Sequence, residues 1–364
     1  MKQSVGLPLP LEALALERDE PCAVREALPA SVDWRRLAAR HPEATIFHQP
    51  EWAEVIRRTY GLRPRYLVLG RPGESASGLP LFQAGHLWRR RLISLPFSDV
   101  AGPLLAHPRD AEGLAAALLE LTHSGKVGLV EVRGGTTQPA AGFEASRDFC
   151  LHVVDLEDDL AAIRRRLHKC AQRSLRLAER GPLRVRLGNS EADVMVFHRL
   201  NLLTRRRHGV PPQPSQLFQN MWELLAPAGL MTLLLAELEG RAVAGMIILR
   251  FRDTAYYKYG ASDPAHVKLR PNHLLMWRAI EWAKESGCRR LDLGRTHRAN
   301  EGLIRFKTSW GADRLPLAYW RYPPANGHRR FAEGSPAYDL LTGCWRRLPL
   351  WATTLGSPFY KHLA

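Results

Sequence analysis

The run MTLLLAELEGRAVAGMIILRFRDTAYYKYG, residues 231–260, holds two long apolar segments around Glu239–Gly240–Arg241, then a third that begins at Thr254. Apolar runs of strand length on either side of a glycine turn make a β-hairpin, and the third run adds a neighbouring strand. After a loop come a helix-like stretch at 271–286 and a short apolar strand at 290–293 that ends in Gly294. Strands, then one helix, then a further strand describe an α/β layer with a mixed sheet.

The same order occurs earlier in the chain. Apolar runs at 66–69 and 78–83 are separated by Gly70, Pro72 and Gly73, and a strand candidate at 92–95 leads into the Pro/Gly-rich stretch 96–103. A helix is expected at 108–123 and a strand at 127–132, ending in Gly134 and Gly135. Gly78 and Gly245 lie 167 residues apart, and Gly134 and Gly294 lie 160 apart. So constant an offset points to a duplicated domain. At 364 residues the chain exceeds the roughly 250–300 that one core serves. The expected division is 1–153 and 183–325 as two similar domains, 154–182 as a helical connector, and 326–364 as a tail.

In the connector, Leu160, Ile163, Leu167, Cys170, Ser174 and Leu177 recur at helical spacing, with acids at 155–158 as a cap and Gly181–Pro182 as a stop. The other face carries Arg165, Arg166, Lys169, Arg173, Arg176 and Arg180. Such a stripe is either a solvated face or a contact for phosphates. The whole chain holds 52 Lys+Arg against 36 Asp+Glu, a net charge of +16. An anionic partner such as tRNA, a nucleotide-linked or lipid-linked substrate or an acidic membrane surface fits that balance. Five cysteines stand far apart without zinc-type spacing, so no metal is expected and the thiols are read as reduced. No run of about 18 apolar residues occurs, and the N-terminal region carries acids among its leucines, unlike a secretory signal. A cytoplasmic protein is the expectation. The tail segment WRRLPLW at 345–351, with Phe359, Tyr360 and Lys361, suits contact with the inner face of a membrane or packing back on the domain.

Several motifs carry a family likeness. They are FHQPEW at 47–52, LPFSDVAGP at 95–103, RHGVP at 207–211, Ala244–Gly245, YKYGAS at 257–262, NHLLMW at 272–277, LDLGRT at 291–296 and RFKTSWG at 305–311. In this order and spacing the chain resembles the Fem-like aminoacyltransferase group of the GNAT acyltransferase superfamily. The resemblance implies tandem GNAT-like α/β domains, each a mixed sheet flanked by helices, and transfer of an acyl group to an amine. In the best-known members the donor is aminoacyl-tRNA and the acceptor a peptidoglycan precursor. The long helical arm of some Fem enzymes is missing here.

Acyl transfer to an amine needs a neutral nucleophile, a group that offsets oxyanion charge, and exclusion of water. Lys307, in the segment resembling the Fem Phe-Lys pair, is the candidate for the oxyanion. Asp292 lies between Leu291 and Leu293 and faces away from them, either as proton acceptor or as an ion-pair partner of Arg290 or Arg295. Tyr257 and Tyr259 alternate on one strand face and are expected to line a pocket together, with Tyr259 a further catalytic candidate. Arg305, Phe306, Arg270, Asn272 and Arg295 are the remaining donor-side candidates. Asp99, Trp52 and Phe97 fall in the segments resembling the acceptor side. Arg205, Arg206 and Arg207 are expected to join Arg165, Arg166, Lys169 and Arg173 in one basic cleft that takes phosphates or nucleic acid.

The turn KLRPNH at 268–273 stands where ordinary GNAT enzymes carry a glycine-rich pyrophosphate turn, and it has no glycine. That departure favours an aminoacyl-tRNA donor over acetyl-CoA or acyl-CoA, with no tightly bound cofactor. A CoA-dependent N-acyltransferase of envelope or exopolysaccharide synthesis is the alternative, and a noncatalytic nucleic-acid or membrane binder is the third reading.

Overall fold

A computed structural model describes residues 24–70, 77–85, 90–125, 127–134, 139–323, 342–343 and 345–354. Cys22, Cys344, Gly135, Phe359, Tyr360 and Lys361 lie outside the described residues. In chain order the first half contains β1 (Val24–Ala27), α1 (Val32–Arg40), α2 (Pro50–Tyr60), β2 (Arg63–Pro64), β3 (Tyr66–Leu69), β4 (Ser77–Leu79), β5 (Phe82–Ala84), β6 (Arg91–Ile93), α3 (Asp110–His123), β7 (Leu129–Arg133) and β8 (Glu144–Asp155). There follow α4 (Leu160–Arg166), α5 (Lys169–Arg180), β9 (Arg184–Leu187), α6 (Glu191–His208), α7 (Ser215–Leu225), β10 (Met231–Leu238), β11 (Arg241–Phe251) and β12 (Thr254–Ser262). The series closes with α8 (Pro271–Glu285), β13 (Arg290–His297), α9 (Glu301–Thr308), β14 (Asp313–Tyr322) and α10 (Leu350–Thr354).

The expected hairpin 231–251 and its neighbouring strand are present as β10, β11 and β12, paired antiparallel. The duplication is visible in the pairing. Each half has one parallel pair, β6 with β7 and β12 with β13, and in each the helix between the two strands supplies the crossover. Gly134 follows β7, whereas Gly294, expected to end its strand, lies inside β13 at the register shift; both take left-handed backbone, with φ of 90° and 76°. Gly78 and Gly245 both lie under an aromatic ring of the first half's α1 or the second half's α6. A Cβ would stand 3.0 Å from Trp34 in one case and 2.8 Å from Phe197 in the other.

The halves exchange their last strands. β14, from the end of the second half, pairs with β7 of the first, while β8 of the first pairs with β13 of the second, and β8 and β14 pair with each other. One sheet of eleven strands results, in the order β2-β5-β6-β7-β14-β8-β13-β12-β11-β10-β9, beside a small sheet β1-β3-β4. A shared core reinforces this union. Trp34, Phe47, Trp52 and Ile56 of the first half pack in one cluster with Phe197, Phe218, Ile247 and Tyr256 of the second.

The connector differs from the single helix expected. Leu167 takes an extended conformation, φ −60° and ψ 141°, and splits the segment into α4, capped by Asp159, and α5, capped by the His168 ring. The break resets the helical phase. Ile163, Leu167, Ala171, Leu175 and Ala178 face the core, whereas Cys170 and Leu177 are exposed. The stripe Arg165, Arg166, Lys169, Arg173, Arg176 and Arg180 does face solvent.

Candidate active site

β12 and β13 are paired only from Thr254 to Tyr256 and from Arg290 to Asp292, after which they diverge. Each strand carries a bulge just past that point. On β12, Ile247 faces Tyr259 while the adjacent Ile248 faces Tyr257, so Lys258 is an extra residue. On β13 the register against β8 shifts between Asp292 and Arg295. Bulges bend a strand and re-aim side chains and carbonyls, and these two open a cleft between parallel strands. The bulge also separates the two tyrosines expected on one face. Tyr257 packs toward the α8 side and Tyr259 toward α7, where it meets Phe218.

A cavity of about 460 Å³ fills the cleft, lined by Phe97, Asp99, Arg133, Tyr257, Lys258, Tyr259, Arg295, Lys307 and neighbours from the end of α6. The first half closes it with the loop at 94–103. Phe97 lies there in left-handed backbone, φ 62°, unusual for a bulky side chain. Its carbonyl accepts a 2.7 Å hydrogen bond from Lys258 Nζ, which also lies over the Phe47 and Trp52 rings at 4.7 and 5.2 Å. Trp52 is fully buried and donates its indole N–H to Ser98 at 2.8 Å. It therefore supports the loop from beneath and does not line the cavity, contrary to its expected acceptor contact.

Lys307, on α9, is 4% exposed and donates to the carbonyls of Gly294 (2.7 Å), within the β13 bulge, and Arg295 (3.1 Å), just after it. An ammonium has three N–H groups, so one remains for a further acceptor. Burial lowers its pKa to about 8, with Asp99 and Asp292 acting in the opposite direction. Asp292 is 7% exposed, and its Oδ1 accepts from Gly294 N at 2.7 Å. Burial pushes this carboxyl up to about 7, against that hydrogen bond and the nearby lysines. The ion pairs considered for Asp292 do not form, since Arg290 pairs with Asp253 and Arg295 stands beside Asp99. Behind Lys307, His152 is fully buried with its pKa lowered to about 4, first by burial and then by the Lys307 and Arg314 charges.

Of the residues read from the sequence, Lys307, Tyr259, Tyr257, Arg295, Asp99 and Phe97 line the cavity, and Asp292 is buried beside it with its Oδ1 on the N–H of the lining Gly294. Arg305 points away, 76% exposed and paired with Glu301. Phe306 packs against His273 and Trp310 at the start of α8. Arg270 is exposed, and Asn272 donates to Ser262 Oγ at 3.2 Å. The basic residues do not form one cleft. α6 packs on the sheet face of Ile247 and Leu249, whereas α4, α5 and α8 pack on the face of Met246 and Ile248. Arg206 and Arg207 thus lie across the sheet from Arg165, Arg166, Lys169 and Arg173, and it is Arg205 and His208 that reach the cavity. Lys258 and Arg133 were not legible as site residues. Lys258 sits inside an alternating strand pattern, and only the bulge turns it into the cleft.

Residues 163–308 match the family model described as an acetyltransferase (GNAT) domain. The crystal structure of FemX superposes with a TM-score of 0.65 at 16% identity, covering 88% of this chain and 99% of that one. A tandem GNAT protein from the clavulanic acid biosynthesis pathway gives 0.53 at 12% identity, with 83% and 99% coverage. The structure of L-PGS from Bacillus licheniformis gives 0.51 at 14% identity, with 82% and 98% coverage. No curated protein matches significantly. The fold is a tandem GNAT-like one, and the matched domain makes the chain an acyltransferase.

Acyl-CoA is the usual donor of this domain class, so its anchoring point bears testing. At the start of α8 Pro271 has no N–H, and the His273 N–H turns back to the Arg270 carbonyl at 3.0 Å. Two of the three first-turn donors that could hold a pyrophosphate are therefore lost. Arg270 takes the left-handed position, φ 58°, where glycine would lie open. These residues do not form the usual N–H cradle.

Proposed function

We propose that the protein transfers an acyl group from an activated ester to an amine in the cleft between β12 and β13. The observation that carries this reading is that Asp292 Oδ1 accepts from the Gly294 N–H while Lys307 Nζ donates to the Gly294 carbonyl, both at 2.7 Å, so that a carboxyl which burial raises to about 7 and an ammonium which burial lowers to about 8 flank one residue of the cavity wall. Opposed tuning of two groups near neutrality separates a proton acceptor from a cationic donor. The amine nitrogen attacks the donor carbonyl carbon, and Asp292 takes the proton released as the C–N bond forms. Lys307 gives its remaining N–H to the oxygen that becomes negative. Collapse breaks the C–O bond to the donor, and the proton passes from Asp292 to the leaving oxygen. The loop carrying Phe97 and Asp99 keeps water out.

The proposed donor is an aminoacyl-tRNA and the acceptor a cell-envelope precursor or peptide-like amine. The lost N–H groups at α8 count against CoA, and the resemblance to the Fem group supports tRNA. A basic surface adjoins the site as well. The α4–α5 break is tied to the end of α9 by His168 N–H donating to the Ser309 carbonyl at 2.9 Å, so Arg165, Arg166 and Lys169 begin beside the helix that carries Lys307. Fluorescence titration with aminoacylated tRNA at several salt concentrations checks the donor. The expected log–log slope is roughly −0.7 to −0.9 per phosphate neutralised. A flat salt dependence together with saturable acetyl-CoA binding moves the reading to a CoA-dependent N-acyltransferase.

A further inference from the structure

The cavity has two unlike poles, and both are incompletely satisfied. One is Asp99. Its backbone is fixed by the Tyr319 hydroxyl, which donates to the Asp99 carbonyl at 2.8 Å, so the side chain is held in place. Its carboxylate oxygens stand 3.6 Å from Arg295 Nε and 3.8 Å from Lys258 Nζ, beyond hydrogen-bond length. Burial opposes ionisation of Asp99, yet the charges of Lys258, Arg295 and Lys307 outweigh it and hold the carboxyl below its usual range. The result is an ionised acceptor with room for a donor. Gly294 preserves that room, since a Cβ there would come within 3.1 Å of Asp99 Oδ2.

The other pole is cationic. The Arg295 guanidinium lies over the Phe149 and Tyr319 rings, at 4.6 and 5.6 Å, and donates through Nη1 to the Tyr319 hydroxyl at 3.0 Å. Stacking of this kind fixes the plane of the guanidinium while its outer N–H groups stay available. Arg133 lines the same cavity and donates to Glu131 through Nε at 3.0 Å, an acid that also receives Arg321. Among the described lining residues, five cations, Arg133, Arg205, Lys258, Arg295 and Lys307, accompany a single carboxylate, Asp99.

We propose that the acceptor is a zwitterion: an amine that carries a carboxylate or phosphate a few bonds away. The ammonium donates an N–H to Asp99; once it has lost one proton to solvent, the neutral amine keeps that N–H on Asp99, which aims the freed lone pair toward the donor carbonyl. The anionic group rests on Arg295 and Arg133. A cavity of about 460 Å³ is large enough for such a group and the acyl carbonyl together. This inference rests on the acyl-transfer reading for the purpose of the amine, but the binding it foresees needs no donor.

The test is calorimetric or saturation-transfer titration of the full chain with matched probes. β-Alanine is compared with β-alaninamide, and O-phosphoethanolamine with ethanolamine. At least one zwitterion is expected to bind about tenfold or more tightly than its partner lacking the anion. Which pair shows the difference distinguishes a carboxylate from a phosphate. Arg295→Gln should abolish that preference, and Asp99→Asn should weaken the zwitterion while leaving inorganic phosphate binding within a few-fold. Equal binding of charged and blocked probes to the native protein overturns the proposal, as does absence of saturable binding by either zwitterion at tens of millimolar. Failure of aminoacyl transfer with intact zwitterion binding would count against the proposed function alone.

Discussion

Lys307 holds the carbonyls of Gly294 and Arg295 and presents its last N–H to the cavity, so it acts on both structure and chemistry. Lys307→Met removes the oxyanion partner and should lower the single-turnover rate by about 100-fold or more, with donor affinity within a few-fold. Two buried carbonyls lose their donor in the same variant, so a stability loss of about 1–3 kcal/mol should accompany it in urea unfolding. Asp292 gives a second measurable consequence. As a base it works ionised, so the rate should rise with pH through about 7. It should then fall above about 8 as Lys307 loses its proton, a narrow bell in single-turnover rate against pH. The stability effect has the opposite sense. The folded-state pKa lies above the unfolded one, so the folded protein retains a proton that the unfolded chain gives up. Asp292 therefore costs stability as pH rises from about 4 through 7. Asp292→Asn keeps an oxygen for the Gly294 N–H, and should raise the Tm at pH 8 while removing the acidic limb of the rate profile.

At the scale of elements, the cleft is made by two bulges and a loop, and the basic surface by a break between two helices. α4 and α5 share a buried face, Ile163, Leu167, Ala171, Leu175 and Ala178, and leave Arg165, Arg166, Lys169, Arg173, Arg176 and Arg180 to solvent. Replacing Arg165, Lys169 and Arg173 together by glutamine should therefore leave the Tm within about 1–2 °C, since exposed charges of this kind contribute little to stability. The same triple variant should weaken tRNA binding and make its log–log salt dependence shallower by up to three phosphates' worth, measured in the same titration as the native protein. Unchanged affinity and slope would assign the stripe to solvation alone. Arg164 is left in place because it serves packing, with its guanidinium on Glu179 at 2.9 Å and over the Trp277 ring at 5.4 Å.

At the scale of the whole molecule the exchange of β8 and β14 makes each half incomplete without the other. β14 lies between β7 and β8, and its Leu317, Tyr319 and Trp320 are buried in the seam. Tyr319 also anchors Asp99 and Arg295, so the strand that joins the sheets is part of the cavity wall. Thermal or urea unfolding should therefore show one transition by both near-UV and far-UV circular dichroism, with no step for a separate domain. Chains cut to residues 1–158 or 159–364 should each fail to show a cooperative transition alone, because β7 or β13 would lose its partner strand. Two separable transitions in the intact chain would show that the halves fold independently in spite of the exchange.

Local pattern was enough for much of this. Alternating and apolar runs, turn glycines and the repeat offset determined the hairpin 231–251, the helix after it and the duplication, because these depend on neighbours a few residues apart. Lys307, Asp292, Asp99 and Arg295 were also recognisable, since each stands in a motif with a strand or helix around it. Three things were decided only by tertiary structure. The bulges at Lys258 and at Leu293–Gly294 change register against partner strands from elsewhere in the chain, so no period in the sequence records them. The placement of Arg206 and Arg207 across the sheet from the α4–α5 stripe follows from which faces α6 and α8 cover. The strand exchange that sets Tyr319 against Asp99 is a long-range pairing, selected by burial of the seam between two similar halves rather than by any local preference.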